Sequence, residues 1–246
     1  MGSIQRFTAK VVDIRQLTHD VRHIDLQLIE PEEIAFKPGQ FVSFEVPDVR
    51  TGRTVTRPYS IASSPGSPGR ISLLLNLVPG GPGSTYLFGL REGDTTTFAG
   101  PAGNFYLRDD PARELLFVAT GTGIAPIRSM LLANVERANP RRVTLFWGLR
   151  SQRDLYYQKA LARLATAHPG NVFITTLSRP QPGWAGVTGR VTTLVQQQIK
   201  DVKQLAVYLC GNSGMIKEVT GIIQAKGLCP IFREKYYDDA GGGDDD

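Results

Sequence analysis

Two hydrophobic rhythms divide the chain. In the first part, apolar positions alternate or run in short blocks over residues 7–14, 23–29, 39–46, 58–63, 70–78 and 95–99. Lys37-Pro38-Gly39, Ser64-Pro65-Gly66 and Glu92-Gly93-Asp94 punctuate them as turns. A period of two puts apolar side chains on one face of a strand, and about six short strands at this spacing predict an antiparallel barrel. One short helix, over 84–89, interrupts them. From residue 115 the rhythm changes. Short apolar runs at 115–119, 143–147, 172–177, 205–210 and 231–237 alternate with helical stretches at 126–138, 154–167, 192–199 and 214–226. Strands alternating with helices predict βαβ units and a parallel sheet.

The switch falls in the polar, proline-broken stretch 107–113. The expected organisation is therefore two-domain. An N-terminal six-stranded antiparallel β-barrel spans residues 1–110, and a C-terminal α/β parallel-sheet domain spans 111–237. The remaining segment, 238–246, is acidic and of low complexity, and is expected to be disordered.

Composition narrows the function classes. Hydrophobic content of 41% and charged content of 21% fit an ordinary soluble globular protein. No apolar run approaches the ~18 residues that span a bilayer. Residues 1–10 lack the apolar stretch of a secretory signal, and Arg6 breaks the myristoylation pattern begun by Met1-Gly2, so a cytoplasmic location is expected. Cys210 and Cys229 are too far apart for a metal knuckle or an iron–sulfur cluster, and His19, His23 and His168 do not cluster. No metal is expected. Charge is uneven: residues 1–110 carry 11 Lys and Arg against 12 Asp and Glu, whereas 111–246 carry 17 against 11. Such a surplus suits nucleic acid, an acidic protein or a phosphorylated small molecule. The basic residues are scattered, with no basic helix or aromatic interleaving, which disfavours nucleic acid.

Several local motifs carry candidate chemistry. Arg57-Pro58-Tyr59-Ser60-Ile61 opens a strand and, alone, also reads as a turn-to-strand entry with an exposed Arg. Val78-Pro79-Gly80-Gly81-Pro82-Gly83-Ser84-Thr85 leads into the short helix, whose N-terminal N–H groups suit an anion. Ser84 or Thr85 would add a hydroxyl there, and Ser84 serves equally as an N-cap. Gly100-Pro101-Ala102-Gly103-Asn104-Phe105 follows. In the second half a strand runs into Thr120-Gly121-Thr122-Gly123-Ile124-Ala125-Pro126. Glycines there let backbone approach a pyrophosphate, and Pro126 in place of a third glycine is tolerated at a helix start. Cys210-Gly211-Asn212-Ser213-Gly214-Met215 ends an interior strand, at the edge where open α/β sheets hold ligands. Cys210 also reads as a small core residue, and Cys229 as core packing.

In this order, and over nearly the whole chain, these segments resemble the ferredoxin–NADP reductase superfamily. The resemblance implies an FAD-binding barrel followed by a nicotinamide-binding α/β domain. It implies that Arg57 pairs with the FAD pyrophosphate, that Tyr59 packs against the flavin ring with Pro58 in the same FAD site, and that the Ser60 hydroxyl sits beside flavin N5. Asn76, Val78, Gly81, Gly83, Ser84 and Thr85 complete the implied FAD site. Thr120, Gly121, Thr122 and Gly123 become the dinucleotide loop, with Cys210, Gly211 and Met215 near the nicotinamide. Glu234 joins a proton path or pairs with an Arg, and the Tyr236 ring covers the flavin. Ser60, Cys210 and Glu234 are thus the candidate catalytic residues.

Dinucleotide folds that prefer NAD carry an acid near the end of the second strand. Here Gly148-Leu149-Arg150 has no acid after it until Asp154. Arg150, Ser178, Arg179 and Arg190 suit a 2′-phosphate and are similar to the arginines that grip it in bacterial ferredoxin–NADP reductases. Solvent-facing or helix-capping arginines are the other reading, which leaves NAD open. The expected function is an FAD-dependent NADPH reductase, a monomer passing electrons to a separate acidic ferredoxin- or flavodoxin-type carrier, since neither end carries a cysteine-rich ferredoxin segment. An NADH-dependent oxygenase reductase component, a free-flavin reductase and an FAD-binding subunit of a larger complex are the alternatives.

Overall fold

A computed structural model describes residues 4–237, with the side chain of Tyr237 left aside; the tail at 238–246 lies outside the described residues. The chain divides into two compact units. One runs to Leu107 and takes in Arg128–Glu136; the other holds Arg108–Ile127 and continues from Arg137.

The first unit is a curled antiparallel sheet of β1 (Gln5–Gln16), β2 (Val21–Glu30), β3 (Phe41–Asp48), β4 (Arg53–Ser60), β5 (Arg70–Asn76) and β6 (Thr95–Ala102). Its order is β4-β3-β6-β1-β2-β5. The two outer strands meet through a bridge between Ile61 and Leu73, and Ala62 N–H donates to the Ser72 carbonyl at 2.8 Å, which closes the barrel. Alternation builds the interior: Phe7, Ala9 and Val11 of β1 point inward, and the rings of Phe7, Phe44 and Phe98 pack at 5.4–5.6 Å.

Strand β4 starts five residues before the apolar block at 58–63. Its first half, Arg53-Thr54-Val55-Thr56, is mostly exposed and lacks a hydrophobic signature, yet it pairs with Glu45–Asp48 across a turn in which Gly52 takes φ +66°. Pro58 is tolerated because β4 is an edge strand. Helix α1 (Pro82–Gly89) begins on Gly81 with proline in its first turn.

The second unit is an all-parallel sheet in the order β10-β9-β8-β7-β11-β12. Its elements are β7 (Glu114–Thr120), α2 (Ile124–Val135), β8 (Val143–Leu149), α3 (Gln158–Ala165), β9 (Val172–Leu177), β10 (Val187–Thr188), α4 (Val191–Gln198), β11 (Leu205–Asn212), α5 (Ser213–Lys226) and β12 (Ile231–Tyr237). Central strands β7 and β11 are almost continuously buried, as parallel strands covered on both faces must be. Two helices differ from the sequence pattern. A 3-10 turn, Gly121–Gly123, precedes α2. The stretch expected to be helical from 154 instead forms a 3-10 turn, Gln152–Asp154, and α3 starts only after Tyr157, which sits at φ 56°. Strand β10 is two residues long, below what periodicity can register.

The later turns of α2 belong with the barrel. Arg128 donates to the Ala62 carbonyl, and the Ser64 hydroxyl donates to Glu136. Among the described residues, no helix is long and apolar enough to cross a membrane.

Candidate cofactor sites

In the first unit, Arg57, Tyr59 and the start of α1 are pressed together. A Cβ on Gly83 would stand 2.5 Å from the Tyr59 hydroxyl and 2.9 Å from Cβ and Cγ of Arg57. Glycine is therefore what lets the helix N-terminus come down beside Arg57. The Arg57 guanidinium is exposed and donates to the Thr56 carbonyl at 2.9 Å. Burial pushes the Tyr59 phenol up to about 12, against the opposing charge of Arg57, so it stays a neutral hydrogen-bonding group. Ser60, at the end of β4, is buried. Asn76 ends β5, Val78 is half exposed in the next turn, and Thr85 is exposed on α1.

Ser84 differs from its expected part. Its hydroxyl accepts from Val78 N–H at 3.0 Å and lies 3.1–3.2 Å from the Gly81 and Val78 carbonyls, so it ties the turn. What this position offers an anion is the helix N-terminus, not an outward hydroxyl. Helix-end N–H groups, a fork of Arg donors and a cradle that a single Cβ would fill together fit a pyrophosphate, the charged middle of FAD.

In the second unit, the turn Gly121–Gly123 packs against the end of β11 backbone to backbone. A Cβ on Gly123 would lie 2.4 Å from the Cys210 carbonyl oxygen, and one on Gly211, at φ +133°, would lie 2.3 Å from the Thr120 hydroxyl. That hydroxyl accepts from Asn212 N–H at 3.0 Å, and the Asn212 side chain caps α5 by accepting from Met215 N–H. Two glycine turns and two helix starts thus share one edge of the sheet. This is a backbone cradle suited to a dinucleotide pyrophosphate.

At the neighbouring strand ends, Ser178 N–H donates to the Leu149 carbonyl and Arg179 N–H to the Arg150 carbonyl, at 3.0 and 2.7 Å. Gly189 N–H donates to the Leu177 carbonyl, which brings in Arg190 at the start of α4. Arg150, Ser178, Arg179 and Arg190 are all exposed. Asp154, the nearby acid, accepts from the Ser151 N–H and hydroxyl in a capping box. Its carboxylate is thus engaged within the turn.

Cys210 is fully buried beside Glu234, its register partner on β12. Burial, then the Glu234 charge, push its thiol well up, while a hydrogen bond from Tyr236 opposes them. Burial also raises the Glu234 carboxyl. Both groups are biased toward their neutral, protonated forms. Met215 is buried on α5.

Three features escape a sequence reading. Trp147 and Tyr156 both bond the Gly121 carbonyl. Arg50 approaches the turn before α1, its Nη1 3.9 Å from where a Cβ on Gly80 would stand. His23, on the face of β2 opposite Ile24 and Leu26, is 1% exposed and bonds Asp25 at 2.9 Å. No local signal marks any of them; each partner is distant in sequence or shielded only by tertiary packing. Among the described residues, no three His, Cys, Asp or Glu side chains group as a metal site.

Comparison with known proteins assigns a family to each part of the chain. Residues 8–106 match the Oxidoreductase FAD-binding domain family, and 117–221 the Oxidoreductase NAD-binding domain family. The chain is 33% identical to ferredoxin–NADP reductase B of Sorangium cellulosum over 89% of its own length and 91% of that protein's. It is 30% identical to the reductase component of propane 2-monooxygenase from Rhodococcus jostii, covering 95% of itself but 64% of that relative. Among solved structures, Amycolatopsis cytochrome P450 reductase GcoB matches with a TM-score of 0.86 at 28% identity, over 98% of this chain and 72% of that one.

Proposed function

Because the chain belongs to the ferredoxin–NADP reductase superfamily, and so is a flavin-dependent NAD(P)H oxidoreductase of electron transfer, we propose that it prefers NADPH and serves a separate acidic carrier of ferredoxin or flavodoxin type. The observation that carries the NADPH preference is the exposed set Arg150, Ser178, Arg179 and Arg190 at one sheet edge, with Asp154 turned to capping. An Arg fork meets phosphate oxygens with paired donors, whereas a ribose hydroxyl asks for an acceptor.

FAD, when bound, supplies acceptance of hydride from the nicotinamide and release of electrons singly. In this reading Arg57 and the α1 N-terminus hold its pyrophosphate, and Tyr59 and Ser60 border its ring. The turn Gly121–Gly123 holds the dinucleotide pyrophosphate. Cys210, held neutral by burial, contributes a compact wall beside the nicotinamide and no competing thiolate. Glu234, its carboxyl raised by burial, lies beside that wall. An acidic carrier suits the groove lined by Lys217, Arg233 and Lys235.

The relatives' printed names, reductase components of oxygenases, support a second reading: a reductase component of an oxygenase, with NADH as its donor in our account. Turnover of the purified chain with NADPH and NADH side by side, using an artificial acceptor, separates the two. A large preference for NADPH that shrinks with salt supports the first; equal or better use of NADH at low salt supports the second.

A further inference from the structure

The carbonyl of Gly121 is gripped from outside its own loop. Trp147 Nε1, on β8, donates to it at 3.0 Å, and the Tyr156 hydroxyl, from the connection between β8 and α3, donates at 3.0 Å. Ile124 N–H closes the 3-10 turn onto the same oxygen. Trp147 is fully buried and Tyr156 nearly so, and their rings meet edge to face at 4.7 Å. Tyr157, the next residue, holds φ 56°, a backbone conformation disfavoured for a side chain of its size. The connection thus bends sharply just where it delivers Tyr156.

Gly121 itself sits at φ +52° and has the backbone freedom of glycine, so little in its own chemistry fixes the peptide that follows it. A peptide group is planar, so holding the Gly121 oxygen fixes the opposite direction of the next N–H. Hydrogen bonds accepted by a carbonyl also polarise its own amide. We propose that Trp147 and Tyr156 are positioning residues for the dinucleotide: they orient the Gly121 peptide so that the Gly121–Gly123 turn faces its N–H groups to the pyrophosphate. The clamp also joins two parts of the site. Arg150 lies between Trp147 and Tyr156 in sequence, so the segment carrying the edge arginine is fastened to the phosphate turn. This rests on the reading of that turn as the dinucleotide loop.

The test is calorimetric binding of NADP+ and of NAD+ to the oxidised, FAD-loaded protein, with FAD content and melting temperature recorded for each variant. Tyr156→Phe keeps the ring packing and removes one donor. It should weaken both dinucleotides by about threefold to tenfold, and by the same factor, because they share the pyrophosphate. Trp147→Phe should act in the same sense; if it folds poorly, Tyr156→Phe decides alone. Gly121→Ala perturbs the turn directly. If Gly121→Ala weakens binding while Tyr156→Phe leaves both affinities unchanged, the clamp is packing only and the proposal is overturned. If Tyr156→Phe affects NADP+ alone, the residue acts at the arginine edge, which also overturns it. If no variant changes either affinity, the turn is not the dinucleotide loop and the underlying reading fails.

Discussion

Gly211 and Thr120 stand so close that a Cβ on Gly211 would lie 2.3 Å from the Thr120 hydroxyl oxygen. The same hydroxyl accepts the Asn212 N–H, so the contact fastens the end of β11 to the end of β7. Gly211→Ala combines that clash with φ +133°, a region that L side chains rarely adopt. It should cost roughly 2–4 kcal/mol of stability, by strain and overpacking together. Chemical denaturation followed by far-UV circular dichroism checks this. A variant as stable as the parent would mean that the two loops do not pack as described.

Arg57→Ala should weaken FAD binding by roughly 1.5–3 kcal/mol, the scale of charge-assisted hydrogen bonds. Gly83→Val should do more, since its side chain would enter the space between Arg57 and Tyr59. Equilibrium dialysis of FAD against the apoprotein gives both numbers. Retention of parental affinity by both variants would move the pyrophosphate away from α1.

Arg179→Ala should raise the KM for NADPH about tenfold or more while leaving that for NADH nearly unchanged, since one charge-assisted contact is worth ~1.5–3 kcal/mol. The effect should shrink as ionic strength rises, because the arginine is exposed. Equal effects on both nucleotides would assign it to the pyrophosphate or to folding instead.

Much of this was legible in the chain. The strand–glycine–helix junctions at Thr120–Pro126 and Cys210–Met215 combine apolar runs with turn residues, and local chemistry dictates them. The start of β4 was not legible, because an edge strand with exposed Arg53, Thr54 and Thr56 buries too little to show a pattern. Trp147 and Tyr156 carry no local mark of the bond they share, since its oxygen lies 26 and 35 residues away. His23 and Asp25 share one face of β2 with exposed Gln27. Their burial comes from tertiary packing that alternation cannot reveal.

That buried pair gives a pH dependence of stability. Burial, the larger influence, holds His23 below its ordinary 6.5 despite the Asp25 hydrogen bond, and Arg15 and Arg128 reinforce it. Burial pushes the Asp25 carboxyl up, but His23, Ser72 and Arg70 outweigh it and keep it well below the usual range. Between the folded value of His23 and 6.5, the unfolded chain binds a proton that the folded chain does not. Stability should therefore fall as pH drops through 6.5, by up to about 1.4 kcal/mol per unit, levelling once folded His23 titrates. Asp25 adds its loss only at more acidic pH. Denaturation curves from pH 7.5 to 5.5 should show the slope in the parent and flatten it in His23→Gln; an unchanged slope in that variant would assign it elsewhere.

Ser60→Ala should leave FAD bound and slow its reduction, because the buried hydroxyl at the end of β4 is read as bordering the flavin. Stopped-flow bleaching of the flavin measures this, and an unaltered rate would remove Ser60 from the reaction.

The most direct test of the central claim is anaerobic mixing of the FAD-loaded chain with NADPH, and separately with NADH, at low salt, while flavin absorbance is followed. Two phosphate contacts at ~1.5–3 kcal/mol each predict reduction by NADPH at subsaturating nucleotide more than a hundredfold faster than by NADH. Equal rates with the two nucleotides, or no bleaching with NADPH, would contradict it.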